Sequence, residues 1–492
     1  MRFIRIKTAA VIFSLTMGFI FTGCETQASL TKKRTRQVEK GLLRAVYIKG
    51  TKIDKMSLAE RMEFYKVPGV SIAVIDKHRV EWAKAYGFQD IRNYRPLTTE
   101  SLFQAGALSR PLTAAAVLDL AAKGGIDMDG DVESSLHYWK FLPPRAPGSQ
   151  AMNRITPRNL LTHSAGLSGQ VFPGYPAKNP LPDLRQIFEG ERPAVNLPVL
   201  EGIQPGKAHE SESGYVILQL LLTDLTGKPF SQIMNETILE PLGMKNSTFE
   251  VNLPEKLRDK AASGHLREGR GVEGEWLNYP ESAAKGLWTT PRDYADFLVE
   301  ILEEAMGRSS NLLSTEAARS MLTPQAGNQG FGFTVEGTGD EIYFNAEGKT
   351  SGYSSFAIVF PGKGQGIVVM TNSDNGGLLI EEILRAVSSA YGWGGFKSEE
   401  KPLFRLDPSV YQDYVGLYEV TPDYHLGVSF EDYYLVIQPT GQARTKFYVE
   451  SQTVFFSIDP YIRIQFRRDD KGAVSGLVLW QQDFEQKAAK VR

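Results

Sequence analysis

Four apolar segments, separated by one long interruption, most constrain the fold of this chain. Residues 70–75 are apolar and largely β-branched, and a second strand-like segment follows through Tyr86. A similar composition returns at residues 353–360 and 366–371, which are joined by a Pro-Gly turn. Short apolar runs bounded by turn residues are typical of buried strands. The pattern predicts one sheet whose strands come from both sides of a long insertion.

Helical patterns surround these strands. Ser109 fits an N-cap, Pro111 fits a first turn, and residues 112–122 are rich in Ala and Leu until Gly124 ends the pattern. Further helical patterns occupy residues 216–223, 293–304 and 378–391. We therefore predict an α+β fold, in which helices flank an antiparallel sheet and a helical subdomain is inserted between its strands.

The C-terminal part of the chain follows a different pattern. Apolar and polar residues alternate repeatedly in residues 405–492, for example where polar residues separate Ile462, Ile464 and Phe466. Alternation with a period of two, interrupted by turn residues, predicts short strands. We expect a separate, small all-β barrel in this region.

The N-terminus has the features of an export signal. Basic residues precede an apolar run at residues 9–21, which is too short to span a bilayer comfortably, and small residues lead to Cys24. Cys24 is the only cysteine, so no internal disulfide can form. Residues 1–24 are therefore predicted to be a lipoprotein-type signal peptide that leaves a lipid on Cys24. Ordinary signal cleavage, or a signal retained as an anchor, is the alternative.

The segment after the signal and the overall charge complete this picture. Residues 25–55 are polar and are predicted to be a tether, and Glu25 favours sorting to the outer membrane in a host with two membranes. We expect a lipid-anchored protein of the bacterial envelope that faces the periplasm. The chain has 55 basic and 57 acidic residues, which does not favour nucleic acid as a partner. The histidines lack metal-ligand spacing, and we expect neither a metal nor a cofactor.

Five short sequences occur one after another within residues 56–395. They begin at Val67 (VPGVSI), Leu161 (LTHSAGL), Glu240 (EPLGM), Gly286 (GLWTTP) and Met370 (MTNS). In this order they resemble the serine β-lactamase-related family, which includes class C β-lactamases, penicillin-binding proteins, esterases and D-aminopeptidases. The resemblance implies a β-lactamase/transpeptidase-like domain over residues 56–395. Residues 405–492 are similar to the lipocalin-like β domain often attached to such hydrolases.

Three motifs carry the chemistry of that family. A Ser-x-x-Lys pair supplies the nucleophile and an amine, a Tyr-x-Asn or Tyr-x-Gly element supplies a second proton-transfer group, and a Lys/His-x-Gly element lies beside the oxyanion hole. Counted from their flanking residues, the motif positions in this chain hold Ala107 and Arg110, Glu210 and Glu212, and Ala346 and Gly348.

These positions lack the side chains that the family mechanism needs. Ala107 has no hydroxyl group to form an acyl-enzyme, and the guanidinium of Arg110 does not lose its proton and cannot act as a base. Lys349 imitates a Lys-Thr-Gly motif, but it comes three residues late and on the other face of the strand. We therefore predict a catalytically degenerate homologue, a pseudoenzyme, in which Arg110 and Glu210 form an ion pair across the former nucleophile pocket.

We expect the chain to bind a ligand even though catalysis is lost. The backbone N–H groups of Ala107 and Lys349 are predicted to point into the former oxyanion hole, since side-chain replacement does not remove them. Tyr175 belongs to the loop at residues 171–175 that shapes the cleft in the family. The expected partners are the membrane, through the lipid on Cys24, and a peptidoglycan fragment, a peptide or an envelope protein.

An active hydrolase with non-standard residues is the alternative function, as an esterase, a D-aminopeptidase or a β-lactamase-like enzyme. Ser282 and Lys285 form another Ser-x-x-Lys match beside a family sequence. We interpret this match as a coincidence, although it is the first pair to mutate if activity is found. His163 is predicted to fix a loop through hydrogen bonds.

Overall fold

The computed structural model describes residues 26–140, 154–168, 171–199, 210–481 and 484–491. In chain order, the strands before the C-terminal barrel are β1 (Val46–Ile48), β2 (Gly69–Asp76), β3 (Arg79–Asp90), β4 (Arg95–Pro96), β5 (Phe103–Gln104), β6 (Tyr175–Pro176), β7 (Leu277–Asn278), β8 (Trp288–Thr289), β9 (Thr334–Glu336), β10 (Tyr343–Thr350), β11 (Tyr353–Phe360), β12 (Gln365–Thr371) and β13 (Glu399–Lys401). The predicted signal peptide, with Cys24, lies outside the described residues.

The helices of the described residues surround these strands. They are α1 (Gln27–Glu39), α2 (Leu58–Tyr65), α3 (Ser109–Ala122), α4 (Val132–Ser135), α5 (Pro157–Leu161), α6 (Leu184–Glu189), α7 (Glu212–Thr226), α8 (Phe230–Met234), α9 (Glu255–Arg258), α10 (Ser282–Lys285), α11 (Pro291–Ala305), α12 (Thr315–Met321), α13 (Gly376–Tyr391) and α14 (Tyr411–Tyr414). Within the described part of the chain, no helix is both long and apolar enough to cross a bilayer.

The central sheet has seven strands in the order β4-β3-β2-β12-β11-β10-β9. All neighbouring strands in it are antiparallel. The strands predicted at residues 353–360 and 366–371 are β11 and β12, and β12 pairs with β2 so that Val368 lies opposite Ala73. The sheet therefore joins strands from both sides of the long insertion, as predicted.

Helices cover both faces of this sheet, and every residue of β2 is consequently buried. Val70, Ile72 and Val74 pack into a core formed with α1, α2 and α13. Ala73 and Ile75 pack on the opposite face, into the core that contains α11 and the inserted helices. This division follows from the alternation of side chains along a strand, and the predicted α+β architecture is confirmed.

The inserted subdomain is built around α3 and α7, which contain the predicted helices at residues 112–122 and 216–223. Residues 109–118 of α3 are buried, since α7, α10 and α12 pack around this helix. A helix that is apolar on all sides belongs in a protein interior. The N-terminus of α3 is directed at β10, and this contact positions the cleft described below.

Ser109 is not the N-cap of α3, and that prediction is wrong. A 3₁₀ turn, Gly106–Leu108, leads directly into the helix, and Leu108 already has right-handed helical angles, whereas a capping residue is usually extended. The hydroxyl of Ser109 instead donates to the carbonyl oxygen of Gly106 at 2.7 Å and accepts from the N–H of Leu287 at 3.0 Å. Ser109 therefore joins the turn to the strand region that contains Leu287.

A closed barrel of eight antiparallel strands forms the C-terminal part. Its strands are β14 (Gly416–Thr421), β15 (Tyr424–Glu431), β16 (Tyr434–Pro439), β17 (Thr445–Val449), β18 (Val454–Ile458), β19 (Tyr461–Arg468), β20 (Val474–Gln481) and β21 (Phe484–Lys490). Sequence neighbours are barrel neighbours, and β21 closes on β14. Tyr418, Phe455 and Phe466 fill its core. The all-β barrel predicted within residues 405–492 is confirmed.

The segment predicted as a tether, residues 25–55, is largely folded and differs from that prediction. Val38 of α1 and the following Leu42 are buried in the core with α2 and α13, and β1 pairs in parallel with β13. Arg34 of α1 forms ion pairs with Asp76 and Glu81. The prediction fails because most of α1 is polar, so its few buried side chains leave a weak apolar pattern.

Candidate functional site

The turn that carries Ala107 lies where α3 meets β10. Gly106 has a φ of +58°, and a side chain on it would come within 2.5 Å of the Lys349 amide nitrogen, so this position requires glycine. Ala107 follows and lines a cleft. The position that the family resemblance assigns to the nucleophile therefore presents a methyl group to the cleft.

Arg110, in the first turn of α3, lines the same cleft. Its Nη1 donates to Oε1 of Glu210 at 2.9 Å, so the predicted ion pair is present. Its Nη2 lies 3.7 Å from Oε1 of Glu212, and its Nε has no hydrogen-bond partner among the described residues. The guanidinium also lies 5.7 Å from the ring centre of Tyr215. Arg110 is thus held in place with part of its donor capacity unused.

Glu212, at the start of α7, is fixed more firmly than Glu210. Its Oε1 lies 2.9 Å from Nζ of Lys285, and its Oε2 accepts from the N–H of Phe172 at 3.1 Å. Lys285 also donates to the carbonyl oxygen of Phe172 at 3.3 Å. The side chains of Glu212 and Lys285 are both almost fully buried. Buried charges of this kind are stable only when paired.

The four ionic side chains alternate in sign, in the order Glu210, Arg110, Glu212 and Lys285. The guanidinium of Arg110 is the largest cause that lowers the pKa of Glu210, and His163 and Lys285 contribute. The Glu210 side chain is nevertheless 73% exposed. The chain of charges is neutral overall, and its exposed end is Glu210.

The third motif lies on β10, where Ala346 is opposite Ala357 and Gly348 is opposite Ser355. A side chain on Gly348 would come within 1.9 Å of the Ala105 carbonyl oxygen, which also accepts from the hydroxyl of Ser355 at 2.8 Å. Glycine at position 348 therefore lets the strand touch the segment before Ala107. Lys349 is exposed where Ala346 is buried, so its side chain lies on the other face of the strand.

Two adjoining cavities form the cleft. The strand-side cavity, of about 460 Å³, is lined by Ala107, Arg110, His163, Glu210, Asn328, Gln329, Gly332, Thr334, Glu336, Tyr343, Asn345, Ala346, Glu347, Phe356 and Phe396. The helix-side cavity, of about 480 Å³, is lined by Ala107, Arg110, Val171, Phe172, Pro173, Glu210, Glu212, Arg267, Tyr279, Lys285, Glu347, Lys349, Thr350, Ser351 and Asp374. Both share Ala107, Arg110, Glu210 and Glu347, so the ion pair stands where they meet.

His163 has the structural role that was predicted for it. Its Nδ1 accepts from the N–H of Ser211 at 3.2 Å, and its ring lies 5.4 Å from that of Tyr215. His163 has a φ of +56°, which such fixed contacts support. The hydrogen bond anchors Ser211, between Glu210 and Glu212, at the start of α7.

Two residues singled out in the sequence lie apart from the cleft. Tyr175 is only 3% exposed, is among the lining residues of neither cavity, and its hydroxyl accepts from the N–H of Val195 at 3.4 Å. Ser282 is 2% exposed, and its hydroxyl is directed at the carbonyl oxygen of Tyr279. The loop before Tyr175 does line the helix-side cavity, through Val171, Phe172 and Pro173.

Sequence reasoning missed Lys285 and Glu281. The match of Ser282 with Lys285, beside the family sequence at Gly286, was the available signal, but only the lysine reaches the cleft. Glu281 is fully buried, and neither carboxyl oxygen has a hydrogen-bond partner among the described residues. Burial raises the pKa of Glu281 to about 8, although the nearby charge of Lys285 opposes the shift.

Comparison with known proteins identifies the family. Residues 57–389 match the beta-lactamase family. The chain is 23% identical over 440 residues to Penicillin-binding protein 4* of Bacillus subtilis, covering 83% of this chain and 92% of that protein. It is 26% identical over 231 residues to Esterase EstB of Burkholderia gladioli, covering 45% of this chain and 57% of that protein.

A solved structure extends the likeness to the whole fold. The octameric penicillin-binding protein homologue from Pyrococcus abyssi matches with a TM-score of 0.57 and 21% identity, covering 87% of this chain and 98% of that chain. The family match itself covers more than half of the residues, including every motif position around Ala107, Glu210 and Ala346. The chain therefore belongs to the beta-lactamase family.

Proposed function

We propose that this chain is a non-catalytic member of the beta-lactamase family that binds a ligand in the cleft around Ala107. The observation that carries the proposal is the methyl group of Ala107 at the nucleophile position, in a cleft that the described residues leave open. A methyl group cannot attack a carbonyl carbon. The neighbouring cation, Arg110, is paired with Glu210 and does not act as a base.

The other serines near the cleft lack the surroundings of a nucleophile. Ser109 and Ser282 are buried, and the hydroxyl of Ser109 is used in two hydrogen bonds. Ser351 lines the helix-side cavity, but its hydroxyl makes no hydrogen bond to a histidine, lysine or carboxylate of the described residues. An activated serine needs such a base within hydrogen-bond reach. These contacts argue against a second nucleophile in the cleft.

The proposal includes a place in the cell envelope, with a lipid on Cys24 as the membrane anchor. A basic segment, a short apolar run and a single cysteine after them support export and lipidation. The proposed ligand is a peptidoglycan fragment, a peptide or a segment of an envelope protein. Incorporation of an alkyne-labelled fatty acid into the full chain, absent from a Cys24→Ala variant, is the expected result; label retained in that variant would contradict the anchor.

Covalent labelling tests the absence of catalysis. The purified protein is incubated with a fluorescent penicillin and with a fluorophosphonate, and turnover of esters and D-amino-acid amides is followed in parallel. We expect no labelling and no turnover, because the cleft offers no activated hydroxyl group. An active penicillin-binding protein, treated in the same way, shows that the probes work.

Serine variants identify the group responsible if labelling does occur. Ser351→Ala, Ser282→Ala and Ser109→Ala are labelled alongside the unaltered chain. Labelling that a single one of these substitutions abolishes would overturn the proposal in favour of an active hydrolase with non-standard residues. If all three variants are still labelled, and no more strongly than denatured protein, the reaction counts as non-specific. The expected result then stands.

A further inference from the structure

The guanidinium of Arg110 is buried, yet it is incompletely satisfied. The residue is 7% exposed and lines both cavities of the cleft, while its Nε has no partner among the described residues. Its Nη2 is 3.7 Å from Glu212, beyond hydrogen-bond distance. An arginine side chain presents five N–H donors in a planar fork. Here one of them, on Nη1, makes a hydrogen bond to a carboxylate, that of Glu210. The fork therefore has donor capacity that its hydrogen bond to Glu210 does not use.

The two carboxylates beside Arg110 differ in how firmly they are held. Glu212 is buried and is fixed by the N–H of Phe172 and by Lys285. Glu210 is 73% exposed, and its side chain hydrogen-bonds only to Arg110 within the described residues. Glu210 can move into water at little cost, whereas the buried guanidinium of Arg110 needs an anion in its place. Glu210 is therefore the partner that a ligand can replace.

We propose that Arg110 binds the carboxylate group of a ligand, and that Glu210 occupies this position when no ligand is bound. The inference rests on the proposed function, since it assigns a ligand class to the same non-catalytic cleft. Arg110 lies in the first turn of α3, whose N-terminus favours an anion. Ala107 and Lys349 line the helix-side cavity beside Arg110, and we propose their backbone N–H groups as further donors.

Charge balance favours a carboxylate over a dianion. The chain from Glu210 to Lys285 is neutral overall. A carboxylate that replaces Glu210 at the guanidinium restores the same local charge after Glu210 moves into water. A phosphate dianion would add a second negative charge next to Glu212, which is buried and cannot move away.

Replacement of Glu210 also changes the shape of the cleft. The Arg110–Glu210 pair lines both the strand-side and the helix-side cavity and stands where they meet. When Glu210 turns outward, the two cavities join at Arg110. A ligand with its carboxylate on Arg110 then has room for its remaining atoms on either side, along β10 or towards Phe172.

The test compares an acid with its matched amide. Binding of N-acetylglycine and of N-acetylglycinamide to the full chain is measured by saturation-transfer NMR and titration. The acid is expected to bind and the amide is not. Glu210→Gln is expected to bind the acid about fivefold more tightly, since the competing ion pair is lost. Arg110→Gln is expected to weaken binding by about tenfold or more, because charge-assisted hydrogen bonds are lost.

Glu336→Gln is the control for net charge, because Glu336 lines the strand-side cavity without contacting Arg110. We expect this variant to change the affinity for the acid by less than about twofold. Arg110→Lys keeps the positive charge but loses the planar fork. Binding of the acid by this variant would show that the loss of binding in Arg110→Gln does not come from misfolding. Equal binding of acid and amide, equal effects of the two glutamate variants, or no binding to any variant would overturn the inference. Covalent labelling tests the proposed function separately.

Discussion

The carboxyl group of Glu281 interacts electrostatically with Lys285 and with the phenol groups of Tyr175 and Tyr279. It is fully buried, and neither oxygen hydrogen-bonds to another described residue. Burial therefore raises the pKa of this carboxyl from about 4.5 to about 8; Lys285 opposes the shift and Glu212 adds to it. At neutral pH the group is mostly protonated, so Lys285 has Glu212 as its charged partner.

Glu281 is expected to make the protein less stable as the pH rises. Its folded-state pKa is raised, so its contribution to stability is fully present below about pH 4.5 and is lost as the pH rises towards 8. Glu281→Gln keeps the shape of the side chain and cannot ionise. Between pH 6 and 8.5, the free energy of unfolding of the unaltered chain should fall by about 2–3 kcal/mol more than that of the variant.

Urea unfolding at a series of pH values measures this difference. Glu304 provides a matched control, because it is also buried and its pKa is raised to about 7. The pH-dependent difference in stability between the unaltered chain and Glu304→Gln should therefore reach its full size at a lower pH than the difference for Glu281→Gln. If the free energy of unfolding changes with pH in the same way for the unaltered chain and for Glu281→Gln, the prediction is wrong. Glu281 is then ionised at neutral pH or is hydrated.

Single residues also mark the limit of prediction from sequence at the site. Ala107, Arg110 and Glu210 could be located because family sequences flank them, and the ion pair followed from their charges. Lys285 could not be assigned, since it reaches the cleft from a short helix far along the chain. Ser109 was misassigned because a buried serine and a capping serine have the same sequence context when a 3₁₀ turn precedes the helix.

At the level of elements, the contact between β10 and the turn before α3 holds the cleft together. Gly348 lies directly against the carbonyl oxygen of Ala105, and Gly106 lies against the amide of Lys349. Two glycines on facing segments allow the backbones to approach more closely than side chains permit. The hydroxyl of Ser355, on the neighbouring strand β11, bonds to the same carbonyl oxygen. The contact with β10 thereby positions Ala107.

Gly348→Ala should displace β10 from this turn. The added methyl group would lie 1.9 Å from the Ala105 oxygen, a contact that backbone movement alone can relieve. We expect a loss of about 1–3 kcal/mol in the free energy of unfolding. Gly427→Ala, in barrel strand β15, is the matched control, since its methyl group would meet nothing closer than Gln438 O at 3.6 Å. Similar losses of stability in both variants would mean that the contact between β10 and the Ala105 carbonyl oxygen does not exclude a methyl group.

The elements themselves were predictable where apolar residues follow a period. β11, β12, α11 and α13 match the predicted segments within a few residues, because each buries one clear face or all of its length. α1 was missed, since polar and basic residues dominate it and Val38 is one of few apolar positions. The short strands β5 to β8 have no periodic pattern, and their pairing with strands distant in sequence determines them.

At the scale of the whole molecule, a buried ionic cluster joins the barrel to the sheet domain. Arg61 of α2 lies 2.7 Å from Glu382 of α13 and 2.6 Å from Asp459, in the turn between β18 and β19. Tyr65 donates to Glu382 at 2.8 Å, and Arg44 contacts Asp459 from the N-terminal segment. This contact could not be predicted from the sequence, because its members are spread over most of the chain and none belongs to a recognisable motif.

Arg61→Met should therefore weaken the whole molecule and not one element. The substitution leaves Glu382 buried without a cation, and breaking a buried ion pair in this way costs about 3–5 kcal/mol. Asp459 keeps Arg44, so the loss falls mainly on the attachment of α13 to α2 and of the barrel to both. Urea unfolding should show a lower midpoint, and a protease should cut the connection between β13 and the barrel sooner.

Arg44→Met separates this effect from the loss of any positive charge near the barrel. Arg44 contacts the same Asp459, but its side chain is 32% exposed, so its removal should cost less than about 1 kcal/mol. A double variant, Arg61→Met with Glu382→Gln, should recover part of the stability, since the buried negative charge is then gone as well. If Arg61→Met and Arg44→Met are equally mild, the barrel is held by its apolar contacts and by β1 and β13, and the ionic cluster only orients it.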